Sequence, residues 1–83
     1  MKDTLLFILS KIVEFPEDLQ VEETTEQSQL LLNIHANQKD IGKIIGKNGR
    51  IIKALRDLIK LIATKQNQYV DIVLVEEERD ASL

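Results

Sequence analysis

Ile44-Ile45-Gly46-Lys47-Asn48-Gly49-Arg50-Ile51-Ile52 is the stretch on which the fold of this chain turns. Two glycines bound a polar pair, and β-branched apolar residues stand on both sides of them. Glycine lets the backbone turn sharply and leaves no Cβ in the way of a close-lying ligand. A helix that starts just after the second glycine aims its first amide N–H groups at that turn, where they suit the oxygens of a phosphate. Lys47 and Arg50 add positive charge beside those donors. Ile44, Ile45 and Ile52 offer either an apolar wall for the faces of bases or the core beneath it, and β-branched residues at this spacing more often belong to a core. Taken alone, a Gly-x-x-Gly tetrad also serves as a tight connection between two helices.

The surroundings of the tetrad sharpen its reading. Between Gln38 and Lys65 lie eight basic residues (Lys39, Lys43, Lys47, Arg50, Lys53, Arg56, Lys60, Lys65) and two acidic ones (Asp40, Asp57), a local balance of +6. The remainder carries three basic and twelve acidic residues, or −9, so the net charge of −3 conceals a strong asymmetry. Because the Debye length is about 8–10 Å at ordinary salt, the local field and not the net charge governs contact binding. Charge runs also simply solvate an exposed helix face, and by itself this one would be read that way.

Upstream of the tetrad, Leu5, Ile8, Leu9, Ile12 and Val13 recur at three- and four-residue spacings and predict an amphipathic helix from Asp3 to Glu14. Phe15-Pro16-Glu17 ends it, since proline cannot continue a helical ladder and pushes its predecessor out of the α region. Leu19 to Thr25 reads as a first strand, Glu26-Gln27-Ser28 as a turn, and the alternating Leu30, Leu32, Ile34 and Ala36 as a second strand with one buried face. Asn37 lies where an N-cap would, and Asp40 three residues on resembles a capping box, which predicts a short helix from about Gln38 to Ile45, ended by Gly46.

Downstream, a helix is predicted from after Gly49 to about Lys65, with Ile51, Leu55, Leu58 and Ile62 in one core-facing stripe. Ala54 and Leu61 flank that stripe on one side, and Ile52, Ile59 and Ala63 on the other. An apolar arc this wide calls for cover on more than one side. Two neighbouring helices are the favoured cover, and a protein interface is the other. Lys53, Arg56 and Lys60 fall opposite and should look outward. Tyr69 to Val75 is a third strand, with Val70, Ile72 and Leu74 on one face. The three glutamates from Glu76 and the lack of any apolar period beyond them read as a solvated tail, giving one domain over residues 1–76 and an acidic, disordered tail over 77–83. The order helix, strand, strand, helix, helix, strand implies an α+β layer fold, with three helices packed on one face of a three-stranded sheet.

The chain resembles the small stand-alone bacterial KH-domain proteins of the KhpA type, from Lys2 to Val75. The resemblance is carried by the Phe15-Pro16-Glu17 corner, by the run Asp40-Ile41-Gly42-Lys43-Ile44-Ile45-Gly46-Lys47-Asn48-Gly49-Arg50, and by Lys53-Ala54-Leu55-Arg56. It implies a type II KH fold, of the order αββααβ, whose Gly-x-x-Gly loop clamps about four backbone nucleotides of single-stranded nucleic acid. Gly46, Lys47, Asn48 and Gly49 would be that clamp, helped by Lys43, Arg50 and Lys53, with Ile44, Ile45 and Ile52 shaping the groove or its underlying core. Gly42, one turn before Gly46, is expected to serve close packing. The resemblance further implies a cytoplasmic protein that binds single-stranded RNA, self-associates or pairs with a larger KH protein of the Jag type, and is linked to cell elongation or division. Single-stranded DNA stays open, because contacts to phosphates and base faces do not require the 2′-hydroxyl.

Composition narrows the rest. At 83 residues and 9.5 kDa, with 43% apolar and 30% charged residues, one small soluble domain is expected. No cysteine is present, so disulfides, thiol nucleophiles and cysteine-based metal centres are excluded. The longest uninterrupted apolar run, Leu5 to Leu9, is too short for a membrane span or a signal-peptide core. Gly42 to Asn48 is not a P-loop, having three residues between its glycines and an asparagine after the lysine. His35, the single histidine, is expected to be an ordinary surface residue with no metal partners. Asp40 and Asp57 are the two carboxylates near the loop, and neither finds an acid–base partner, so no enzyme, metal or cofactor is expected. Phe7, Phe15 and Tyr69 are the only aromatic residues and none lies near the loop, so base stacking on aromatic rings is not expected and binding should be weak, salt-sensitive and poorly selective. A protein–protein adaptor that dimerises through the excess apolar flank of the third helix is the alternative.

Overall fold

The computed structural model describes residues 1–75. Helix α1 spans Lys2–Ser10, strand β1 Gln20–Glu26, strand β2 Gln29–His35, helix α2 Gln38–Ile45, helix α3 Arg50–Lys65 and strand β3 Tyr69–Leu74, with short 3-10 turns at Pro16–Asp18 and Lys47–Gly49. Thus three α-helices and a three-stranded sheet form an α+β fold, in the element order read from the sequence. The sheet order is β1-β2-β3: β1 runs antiparallel to β2 with Val21 opposite Ile34, and β3 runs parallel to β2 with Ile72 opposite Leu32. Gln27 and Ser28, both with positive φ (50° and 69°), close the β1–β2 hairpin in two residues, so β1 extends through Glu26. Positive φ at both central positions matches the twist of the flanking strands.

One core holds the layers together. Leu5 and Leu9 of α1, Ile44 of α2 and Ile59 of α3 meet Leu32 and Ile34 of the central strand in it, all six fully buried. Helix α3 sits on it with Ile52, Leu55, Ile59 and Ala63, a face rotated from the stripe expected on sequence. Ile51 and Leu58 of the expected stripe are 36% and 41% exposed. An all-round apolar pattern sets the presence of a helix but not its rotation. Here the burial of Ile59 and Ala63 in one cluster with Leu32, Ile34, Val70 and Ile72 of the sheet settles it. The favoured cover by two neighbouring helices is therefore not what Ile51, Ala54, Leu58 and Leu61 receive within the described residues: this flank is exposed.

Helix α1 ends at Ser10, four residues before the expected Glu14, and the reason lies in Asp40. The amide groups of Glu14 and Phe15 donate to its two carboxylate oxygens at 2.9 and 3.0 Å, which a helix continuing to Glu14 would not allow. The last turn of α1 tightens accordingly, with Lys11 N donating to Ile8 O and Ile12 N to Leu9 O. Pro16 then opens the 3-10 turn, where its missing N–H costs nothing. The N-cap of α2 is Asn37, as expected, and its side chain accepts from Lys39 N at 2.8 Å. Asp40 is not the second half of a capping box: it is fully buried and reaches away from its own helix to the 14–15 segment. The expected tail over 77–83, like Glu76, lies outside the described residues.

Burial pushes the Asp40 carboxyl up, but the two backbone N–H donors and the nearby Lys43 outweigh it and hold it below the ordinary carboxylate value. A carboxyl depressed in the folded state contributes stability above its unfolded pKa, and that contribution is lost as pH falls through the folded value. Asp40→Asn should therefore lower the melting temperature at neutral pH and flatten the fall in stability below about pH 4. Melting curves for both proteins across the acid range test this, and an unchanged acid limb in the variant would contradict it.

Candidate nucleic-acid interface

The loop between α2 and α3 takes its shape from residues with positive φ. Gly46 ends α2 at φ 79°, ψ 173°, Asn48 follows at φ 57°, and Gly49 caps α3 in the left-handed region at φ 73°. Gly46 is required twice over. A Cβ there would stand 2.6 Å from Cγ1 of Ile51, far inside contact distance. At Gly49 a Cβ would meet open space, so only its backbone angle favours glycine. Gly46 N donates to Gly42 O, and Gly49 N to Gly46 O, so the loop is bonded to the last turn of α2 and closed on itself before α3 begins.

Lys47, Asn48 and Arg50 are exposed on this turn. Among the described residues neither Lys47 nor Arg50 pairs with a carboxylate. No side chain caps the N-terminus of α3 and no acidic residue stands in its first turn, so its partial positive charge faces the loop unopposed. The other two basic candidates are engaged. Lys43 donates to Glu14 at 3.1 Å and lies 3.8 Å from Asp40; Lys53 donates to Asp57 at 2.8 Å. That hydrogen bond from Lys53 holds the Asp57 carboxyl below its ordinary value. Ile45 and Ile52 are half-buried beside the loop, while Ile44 is fully buried and belongs to the core beneath it.

Beyond the loop a basic row follows α3 along β3. Arg56 does not look outward as its spacing predicts. Its Nε donates to Asp71 at 2.9 Å and its Nη2 to the carbonyl of Ile72 at 3.1 Å. Val75 N donates to Ile34 O, so in this parallel pairing the odd residues of β3 face β2 and Ile72 faces the open edge. Its N–H is taken by Asp71 at 2.7 Å, so both its outward backbone groups are occupied and strand addition is blocked there. Nothing in the spacing of Arg56 announced this. The signal was Asp71, a charge alternating with apolar residues on an edge strand. His35 is half-buried and pairs with Glu22 across the hairpin at 3.2 Å. No group of three or more His, Asp or Glu among the described residues is placed to hold a metal, and no helix among them is long and apolar enough to cross a membrane.

The family model described as "KhpA/KhpB, KH domain" matches residues 2–74. The chain belongs to that family. It is 39% identical over 75 residues to the RNA-binding protein KhpA of Clostridium acetobutylicum, covering 90% of this chain and all of that one. To the RNA-binding protein KhpA of Chlamydia pneumoniae it is 36% identical over 78 residues, covering 94% of this chain and all of the relative. The KhpA of Listeria monocytogenes is 29% identical over 76 residues. The resemblance drawn from the tetrad and its flanks is thus that of a KhpA-type chain throughout.

Gly42 departs from expectation in this KhpA-type chain. A Cβ on it would meet nothing within 4 Å, and the residue is exposed, so close packing does not require a glycine there. Gly42→Ala should raise unfolding stability by about 0.5–1 kcal/mol, the usual gain for replacing glycine inside a helix. Gly46→Ala should lower it by about 1–2 kcal/mol or more, from the left-handed angle and the clash with Ile51 together. Urea unfolding of the two variants tests both signs, and equal effects would mean that the α2–α3 junction yields freely.

Proposed function

We propose that this chain is a non-catalytic KH protein of type II, folded over residues 1–76, that binds single-stranded RNA in the cytoplasm through the Gly46-Lys47-Asn48-Gly49 loop. The observation that carries the reading is an exposed turn at an uncapped helix N-terminus with two basic side chains that no described carboxylate neutralises. Its relatives bear the name RNA-binding protein, which supports the ligand class. Lys47, Arg50 and the amides of Lys47 and Asn48 hold phosphates, those of Gly46, Gly49 and Arg50 being already bonded within the turn. Lys43 and Lys53, tied up in ion pairs, contribute mainly to the field. Ile45 and Ile52 flank the bases, and Ile44 supports them from below. Nothing in this scheme needs the 2′-hydroxyl, so single-stranded DNA is a competing ligand. No nucleophile–base pair is assembled at the loop, and the proposed role is binding alone.

Replacing Lys47 and Asn48 together by Asp should abolish RNA binding and leave helix content intact, because two carboxylates would face phosphate. With about three phosphates neutralised, log affinity should fall against log salt with a slope near −2, at about −0.7 per contact. Fluorescence anisotropy with labelled single-stranded RNA at several salt concentrations reads both. Unchanged affinity in the variant, or a flat salt response, would overturn the loop reading.

The exposed flank of α3 favours a second property. Ile51, Ala54, Leu58 and Leu61 recur at helical spacing, and Leu61 is 66% exposed. Such a stripe is costly to leave in water, and a second copy of the chain, or a larger KH partner of the Jag type, would cover it. Leu58→Asp should yield a monomer in a dilution series by sedimentation where the parent protein dimerises. A parent protein that stays monomeric at every concentration would sink self-association.

A further inference from the structure

Tyr69, at the start of β3, is 78% exposed, a position that gives its ring no role in the core. It lines a groove of about 200 Å³ together with Gln29, Lys60, Thr64 and Gln68, and an adjoining one of about 270 Å³ with Thr64, Asn67 and Gln68. Both are smaller than the roughly 300–1,000 Å³ of sites that enclose a drug-sized molecule. Among the described residues the side-chain amides of Gln29 and Gln68 make no hydrogen bond, so donors and acceptors line this place unspent. Lys60 is half-exposed and only loosely tied, 3.9 Å from Asp71.

The groove is joined to the loop by charge. Lys53, Arg56 and Lys60 lie at three- and four-residue spacings on one side of α3, and Arg56 and Lys60 both reach Asp71 of β3. From Arg50 to Lys60 a helix rises about 15 Å, at about 1.5 Å per residue. A phosphate chain held at the Gly46–Gly49 loop therefore meets a row that keeps one net positive charge, three basic residues against Asp57 and Asp71, before it reaches an exposed aromatic ring with free amides beside it.

We infer that Tyr69 is a stacking platform for one base of the same single-stranded RNA, lying beyond the nucleotides held at the loop, with Lys60 holding the adjacent phosphate and Gln29 and Gln68 contacting the base edge. This rests on the loop reading above and extends it. Stacking on an aromatic side chain is tolerant of base identity, so the platform adds affinity and length dependence more than sequence choice.

The test compares Tyr69→Ala and Tyr69→Phe with the parent protein and with the Lys47→Asp/Asn48→Asp protein, by anisotropy on labelled single-stranded RNAs of about four and about ten nucleotides. On the longer RNA Tyr69→Ala should weaken binding about 5- to 150-fold, the range for one stacked base of about 1–3 kcal/mol. Tyr69→Phe, which keeps the ring, should bind as the parent does, and on the shorter RNA all three should be alike. Circular dichroism guards against misfolding, which a residue this exposed is not expected to cause. If Tyr69→Ala binds the longer RNA like the parent while the loop variant does not bind, the platform is wrong and the loop reading stands. If the parent and the loop variant bind alike, both fail. If Tyr69→Ala weakens both RNAs equally, the ring acts on the loop and not on a distant base, and the platform is again wrong.

Discussion

Ile51 occupies the space that a side chain at position 46 would need, and much of the architecture hangs on that exclusion. Because Gly46 has no Cβ and takes a positive φ, α2 can stop and α3 can start with only four residues between them, with Ile51 packed against the junction. The junction in turn sets where Ile44 enters the core from one helix and where Ile52, Leu55 and Ile59 do so from the next. It also leaves Lys47, Asn48 and Arg50 on the outside of a turn too tight to fold them inward. The exposed polar pair and the buried isoleucines are two results of one constraint.

Asp40 extends that constraint to the other end of the chain. A fully buried carboxylate costs a great deal unless it is well satisfied. Here two backbone amides from a different segment and a nearby lysine supply what is needed. The helix that carries the loop is thereby fastened to the segment joining α1 to Pro16. The cost is an α1 shorter than its apolar period permits, since the amides of Glu14 and Phe15 cannot serve both a helix and Asp40.

Legibility in the sequence followed the range of the interactions involved. Local signals were read correctly: the alternation in β2 and β3, the Asn37 cap, the glycine-bounded turn and the element order all rest on residues within a few positions of one another. The misreadings involve long-range partners. Asp40 looked like a local cap because its true partners are 25 and 26 residues away. Arg56 looked solvated because Asp71 lies 15 residues on. The rotation of α3 was ambiguous for a different reason: with apolar residues on more than half the helix, several stripes fit the pattern, and only the sheet surface chooses among them. Gly42 looked like a packing glycine by its place one turn before Gly46, whereas the space beside it is open.

The rotation of α3 has consequences for how its surfaces can be used. At about 100° per residue the core stripe of Ile52, Leu55, Ile59 and Ala63 lies between two others. Lys53, Arg56 and Lys60 run down one side of it, toward β3, and Ile51, Ala54, Leu58 and Leu61 down the other, about 140° apart around the axis. Had the helix sat on Ile51, Leu55, Leu58 and Ile62, the apolar flank would have been buried and the basic row would have faced solvent away from the sheet. In the observed setting the row lies against β3, where Arg56 and Asp71 occupy the outward groups of Ile72 and keep other strands off that edge. An RNA along the basic row and a protein on the apolar flank would approach from different sides, so the proposed binding and the proposed self-association do not compete for the same surface. They do share the first turn of α3, where Ile51 packs beneath Gly46, and a change there would disturb both.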